Sequence, residues 1–199
     1  MTFLISLGLT LIAAAAILLP VYLILHLSYI KDSRKTVLCF LFSLYLAVVY
    51  DMVGMPNATY VRFEINLNVI PFLGFFDGIQ SSLLNIALFV PLGVFLPVLW
   101  KRYRRAEHTV LFGLGMSLGI ELLQMFTYRA TDINDLMTNT LGSYLGWLLG
   151  MWLVRKSAWL DSLAGEKHRE VCRIMGIAFL SMFLIHPFLF SILWNIVMH

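Results

Sequence analysis

Long apolar stretches alternate with short polar connections in which lysine and arginine collect, and this pattern most constrains what the chain can fold into. The stretches run over about 3–30, 36–52, 79–100, 107–127, 135–154 and 172–197. A helix needs about 20 predominantly apolar residues to cross a hydrocarbon core about 30 Å thick, so each stretch is a candidate crossing. The chain is 60% hydrophobic and 13% charged, with mean hydropathy +0.86. Soluble domains are nearer about 45–50% apolar and about 25% charged. The expected fold is therefore all-α: a polytopic bundle of about six transmembrane helices, in a single membrane domain over 1–199, with the lipid bilayer as its main partner. A net charge of +3 does not point to nucleic acid, because the basic residues sit in runs between apolar stretches. The first stretch has no basic n-region or small-residue cleavage site and reads as a retained helix.

Cytoplasmic loops of membrane proteins carry the excess of Lys and Arg. With the N-terminus outside, the inner connections are 31–35, 101–106 and 155–173, and twelve of the fourteen Lys and Arg fall in them. Only Arg62 and Arg129 fall outside. Both termini are thus expected on the extracytoplasmic side, together with the 53–78 connection and the turn at 128–134. The 53–78 connection carries Gly54, Pro56, Pro71 and Gly74, and its alternating residues 61–69 suit a short strand or an interfacial segment.

The polar residues concentrate around the 128–134 turn. Glu121 and Gln124 are three apart and share a helix face near the outer end of the fourth stretch; Asp135 and Asn139 are four apart and share a face at the start of the fifth. Between them lie Arg129 and Asp132, and Asn85 in the third stretch is placed to face the group. An ionised side chain at the bilayer centre costs about 2.5–3.5 kcal/mol or more, so intramembrane ionisable residues are functional candidates by default. Arg129 can engage a carboxylate through a bidentate fork, with Asp132 or Asp135 as the expected partner. Three acids and one arginine do not balance. Either one acid is protonated, Glu121 first since desolvation raises a carboxyl pKa, or the cluster accepts a cationic or hydrogen-bonding ligand. The bland alternative is a turn residue, a helix-start charge and interhelical hydrogen bonds worth about 0.6 kcal/mol each.

Small residues four apart let helices approach closely. Gly115 and Gly119 stand so in the fourth stretch, and Gly142, Gly146 and Gly150 in the fifth. Since a short turn joins these stretches, a glycine-lined seam between them is expected. Pro20 is expected to kink the first stretch, and Pro91 and Gly93 mark the third.

Other chemistries find little support. Cys39 and Cys172 read as packing residues, and their spacing fits no metal site; no metal and no cofactor are expected. HExxH is absent. His26, His108 and His168 lie toward the inner side, and His186 and His199 belong to the last stretch, so no serine–histidine pair stands near the cluster. No inverted repeat suggests a transporter. Carboxylate acid–base chemistry on a lipid or a lipid-linked cell-wall precursor remains as the enzymatic alternative, with no catalytic residue assigned. The NAT triplet at 57–59 matches a glycosylation pattern.

Three motifs carry a family resemblance: NIALFVPLG at 85–93, GIELLQ at 119–124 and RATDINDLMTNTLG at 129–142. With them the chain resembles the VanZ-like family of bacterial membrane proteins over roughly 40–154, with extra helices about 3–30 and 172–197. The resemblance implies a multi-pass protein of the bacterial cell membrane, implicated in resistance to glycopeptide and lipoglycopeptide antibiotics, teicoplanin above all. It also implies a glycopeptide or a lipid-linked precursor as the partner of the polar cluster. It supplies no mechanism and no oligomeric state.

Overall fold

Helices follow the apolar stretches, with ends set by local signals. A computed structural model describes residues 2–63, 67–68, 79–127, 131–166 and 169–198. Expectations resting on Pro71, Gly74, Arg129, Lys167, His168 and His199 fall outside these residues. The helices are α1 Thr2–Leu25, α2 Ser33–Met52, α3 Ile79–Leu99, α4 Ala106–Gln124, α5 Ile133–Lys156, α6 Ala158–Leu163, α7 Arg169–Leu180 and α8 His186–Met198. A π-helical turn, His26–Ile30, continues α1, and another, Ser181–Ile185, joins α7 to α8. Among the described residues four segments are long and apolar enough to cross a membrane: Phe3–Ile30, Ser33–Met52, Ile79–Leu99 and Arg169–Met198. At 1.5 Å per residue α4 and α5 reach about 28 and 36 Å, but they carry the polar residues and are less apolar. The protein is an all-α polytopic membrane protein.

Capping explains several boundaries. Asp32 precedes α2 in an extended conformation, and its carboxylate accepts from the Arg34 and Lys35 N–H groups at 2.9 and 3.4 Å. Asp132 does the same for α5, accepting from Asn134 N–H at 2.8 Å, while Arg155 and Lys156 place positive charge at that helix's C-terminal turn. Ser157 caps α6 through the Leu160 N–H. Helix α6 falls in a stretch expected to be only a polar connection. Pro20 sits inside α1, and the change of helical register comes later, at His26–Ile30.

The chain divides into two compact units, Met1–Val61 with Arg169–His199, and Arg62–His168. The first pairs α1 with α2 and α8, and α2 with α7. At one end Lys35 and Glu170 form a half-buried ion pair at 2.6 Å, and Arg173 lies 4.5 Å from the centre of the Tyr29 ring. Toward the other end the Ala58 N–H donates to the Phe183 carbonyl within the second π turn, at 2.9 Å. A π turn shifts the i→i−4 pattern, and this loop donor supplies a partner for one of its carbonyls.

In the second unit α5 packs on both α3 and α4. Its glycines do not face α4. A Cβ added at Gly142 would lie 3.0 Å from Ile86 Cα; at Gly146, 2.9 Å from Gly93 Cα and hard against the Val90 carbonyl; at Gly150, 2.8 Å from Pro97 Cγ and 3.0 Å from Val94 Cα. The contacts step by four along both helices in the same direction, so α3 and α5 run parallel with their backbones nearly touching. Gly115 and Gly119 on α4 have nothing within 4 Å of such a Cβ. The expected seam between the fourth and fifth stretches is thereby corrected: Gly142 and Gly146 close α5 onto α3, and Gly115 and Gly119 take no part. The α4–α5 contact uses Gly113, whose added Cβ would meet the Ser143 side chain. At the basic end, Arg104 pairs with Asp161 at 2.7 Å and Lys101 with Glu166 at 2.7 Å, holding the 3₁₀ turn Lys101–Arg104 against the segment after α5.

Candidate functional site

The polar residues of the second unit line up where α4 meets α5. The two helices run antiparallel, and Ser117 on α4 opposes Asn139 on α5, whose Nδ2 donates to Ser117 Oγ at 2.9 Å. One turn further along the same face of α4 stands Glu121, and beyond it Gln124; both are almost fully buried, at 3% and 4% exposure. Glu121 Oε2 accepts the Asp132 backbone N–H at 2.9 Å. That N–H belongs to the capping residue of α5, so the carboxylate sits at the positive end of the helix dipole. The placement offsets part of its desolvation, and a hydrogen bond accepted by an ionised carboxylate is stronger than a neutral one. Asp132 is used twice: one oxygen caps α5 and the other accepts from Asn68 Nδ2 at 3.1 Å. Asn68 arrives through a two-residue parallel pairing of β1 (Leu67–Asn68) with β2 (Thr131–Asp132), within the 61–69 segment expected to be a strand or an interfacial stretch.

Among the expected cluster residues the structure links Glu121 to Asp132 directly. It buries Gln124 and Asn139 on the same α4–α5 interface, and leaves Asp135 half-buried in the first turn of α5. Asn85 is half-buried on α3. Arg129 lies outside the described residues, so its pairing with Asp132 or Asp135 is not described. Ser117, Ser143 and Asn68 belong to the set although the sequence reading passed over them. A serine four residues before Glu121 and another four after Asn139 were the available signals. Ser143 donates to the Asn139 carbonyl at 3.0 Å, and Thr138 to that of Asn134 at 2.9 Å, so these buried hydroxyls are satisfied within α5. Asn139 Oδ1 is buried and has no hydrogen-bond partner among the described residues. The Asn139 amide oxygen is therefore a buried acceptor at this interface that suits a donor group.

The first unit holds a separate polar set. Thr10 Oγ1 donates to Asp51 Oδ2 at 3.1 Å, and His186 is buried at the head of α8. The His186 Nε2 atom is buried without a partner among the described residues. Cys39 is buried, Cys172 exposed, and both are free thiols. No group of three His, Cys, Asp or Glu suited to a metal occurs among the described residues.

Residues 36–155 match the sequence model of the VanZ/LLP1 family. The chain belongs to this family. Similar to it is "Protein VanZ" of Enterococcus faecium, 30% identical over 115 residues that make up 57% of this chain and 70% of that protein. No solved structure matches. The VanZ/LLP1 match runs from the first turns of α2 to the last turn of α5 and takes in every residue of the α4–α5 polar set. It leaves out α1, α6, α7 and α8, hence Thr10 and His186.

Proposed function

We propose that this VanZ/LLP1 protein lowers susceptibility to glycopeptide antibiotics such as teicoplanin. It would do so through an extracytoplasmic polar pocket built from Glu121, Gln124, Arg129, Asp132, Asp135 and Asn139, with Asn85 at the rim, that binds or excludes the antibiotic or a lipid-linked envelope component. The observation that carries the reading is the buried Glu121 carboxylate at the start of α5, on the same interface as the Asn139 oxygen, which has no hydrogen-bond partner among the described residues. Burying an amide oxygen is costly unless a donor reaches it. Donors are what an amine, an amide or a sugar hydroxyl supplies.

The orientation is part of the proposal. In the second unit the polar set lies at the opposite helix ends from Lys101–Arg105 and Arg155–Lys156, and basic residues mark the cytoplasmic side. With both termini extracytoplasmic, a cysteine at Thr59 reacts with a membrane-impermeant maleimide in intact cells and one at Ser162 does not; the reverse labelling overturns the orientation. The functional test is expression in a susceptible Gram-positive host. The inhibitory concentration of teicoplanin should rise severalfold, and an unchanged value for teicoplanin and its lipoglycopeptide relatives removes the proposed role.

A further inference from the structure

The first unit contains a cleft that the polar pocket does not use. It is an open groove between the end of α1 with its π turn and the first two turns of α2, with a volume of about 250 Å³. Its polarity is graded. Leu19, Leu23, Val37 and Phe40 line the deep part; His26, Ser33 and Thr36 line the part nearest the helix connection. The polar rim is ordered: the His26 ring hydrogen bonds with Thr36 Oγ1 at 3.0 Å, and Thr36 Oγ1 with the Asp32 carbonyl at 2.8 Å. From Ser33 to Phe40 the wall rises about 10 Å along α2, so the cleft runs into the membrane from its polar end.

Two cations flank Ser33 in sequence. Lys31 and Arg34 are exposed, and neither makes an ion pair among the described residues, whereas Lys35 beside them is held by Glu170. The one acid between them, Asp32, spends its carboxylate on the α2 N-terminus. Lys31 also adopts a left-handed backbone, φ 58°, which a glycine or asparagine would take more easily. The chain thus keeps a lysine where conformation alone disfavours one.

We propose that this cleft is a binding site for an anionic glycerophospholipid, one acyl chain lying between α1 and α2 and the phosphate meeting Lys31 and Arg34. An apolar slot with a polar rim fits one amphiphile end to end, and basic residues at the cytoplasmic ends of spans attract anionic head groups. The site is independent of the α4–α5 pocket and lies mostly outside the family match.

Native mass spectrometry of the full chain tests it, after incubation with vesicles of equal phosphatidylglycerol and phosphatidylcholine. The wild type should retain phosphatidylglycerol in preference, and Lys31→Gln with Arg34→Gln should reduce that preference roughly tenfold. Arg102→Gln with Arg155→Gln, basic residues outside the cleft, should leave it intact. Leu23→Trp, which fills the slot, should lower retention of both lipids; if that variant does not fold, Val37→Phe serves instead. Equal retention of the two lipids by the wild type overturns the proposal. So does a preference that survives the Lys31/Arg34 change, or a retention that no slot-filling variant lowers.

Discussion

The glycines of α5 and those of α4 look alike in sequence and differ in the fold. Gly142, Gly146 and Gly150 repeat every four residues, as do Gly115 and Gly119. The first set presses backbone against backbone on α3; the second faces open space. Spacing tells that a helix can be approached closely, not what approaches it. Helix α5 has two occupied faces, and its Asn139–Ser143 side already meets Ser117 and Gly113 on α4. That leaves the glycine face for a third helix. The division also bears on function: the seam fixes α5 rigidly against α3, so that its N-terminus and Asp132 N–H are held where Glu121 needs them.

The comparison is most strongly broken at Gly146. Gly146→Ala drives a methyl into the Val90 carbonyl and to 2.9 Å from Gly93 Cα, both backbone, so neither helix yields without moving as a whole. A loss of about 1–3 kcal/mol is expected from such overpacking, read as a lowered thermal midpoint in detergent micelles. At Gly115, where the added methyl meets nothing, the same substitution should be neutral or stabilise by up to about 1 kcal/mol through helix propensity alone. Equal effects at the two sites would mean that the seam is not where packing is tightest. A loss at Gly115 alone would show that α4 has a close partner on that face in the membrane.

Much of the fold could be read from the sequence because lipid imposes a simple rule: a crossing must be long, apolar and helical. Among the described residues the first, second, third and sixth stretches meet it in length and composition, while the fourth and fifth carry the polar residues. Within the polar set, helical spacing placed Glu121 with Gln124 and Asp135 with Asn139. Three features were not legible, each for a physical reason. The partner of the glycine face depends on which third helix arrives, which no local pattern encodes. The β1–β2 pairing is two residues long, so alternation over 61–69 gave its neighbourhood but no register. Helix α6 is six residues long, and its main sign is Ser157, a cap that also occurs in plain loops. Asp132 also anchors Asn68, a contact that only the tertiary fold supplies.

Glu121→Gln isolates the central claim, because it keeps the size of the side chain and an oxygen able to accept the Asp132 N–H while removing the charge. Its effect should be read as the teicoplanin inhibitory concentration in the susceptible host, at matched membrane abundance and thermal midpoint. The prediction is a stably folded protein whose protection falls to that of the empty vector. Full protection by both Glu121→Gln and Glu121→Ala at normal abundance would contradict it and reduce the buried carboxylate to a fastener between α4 and α5.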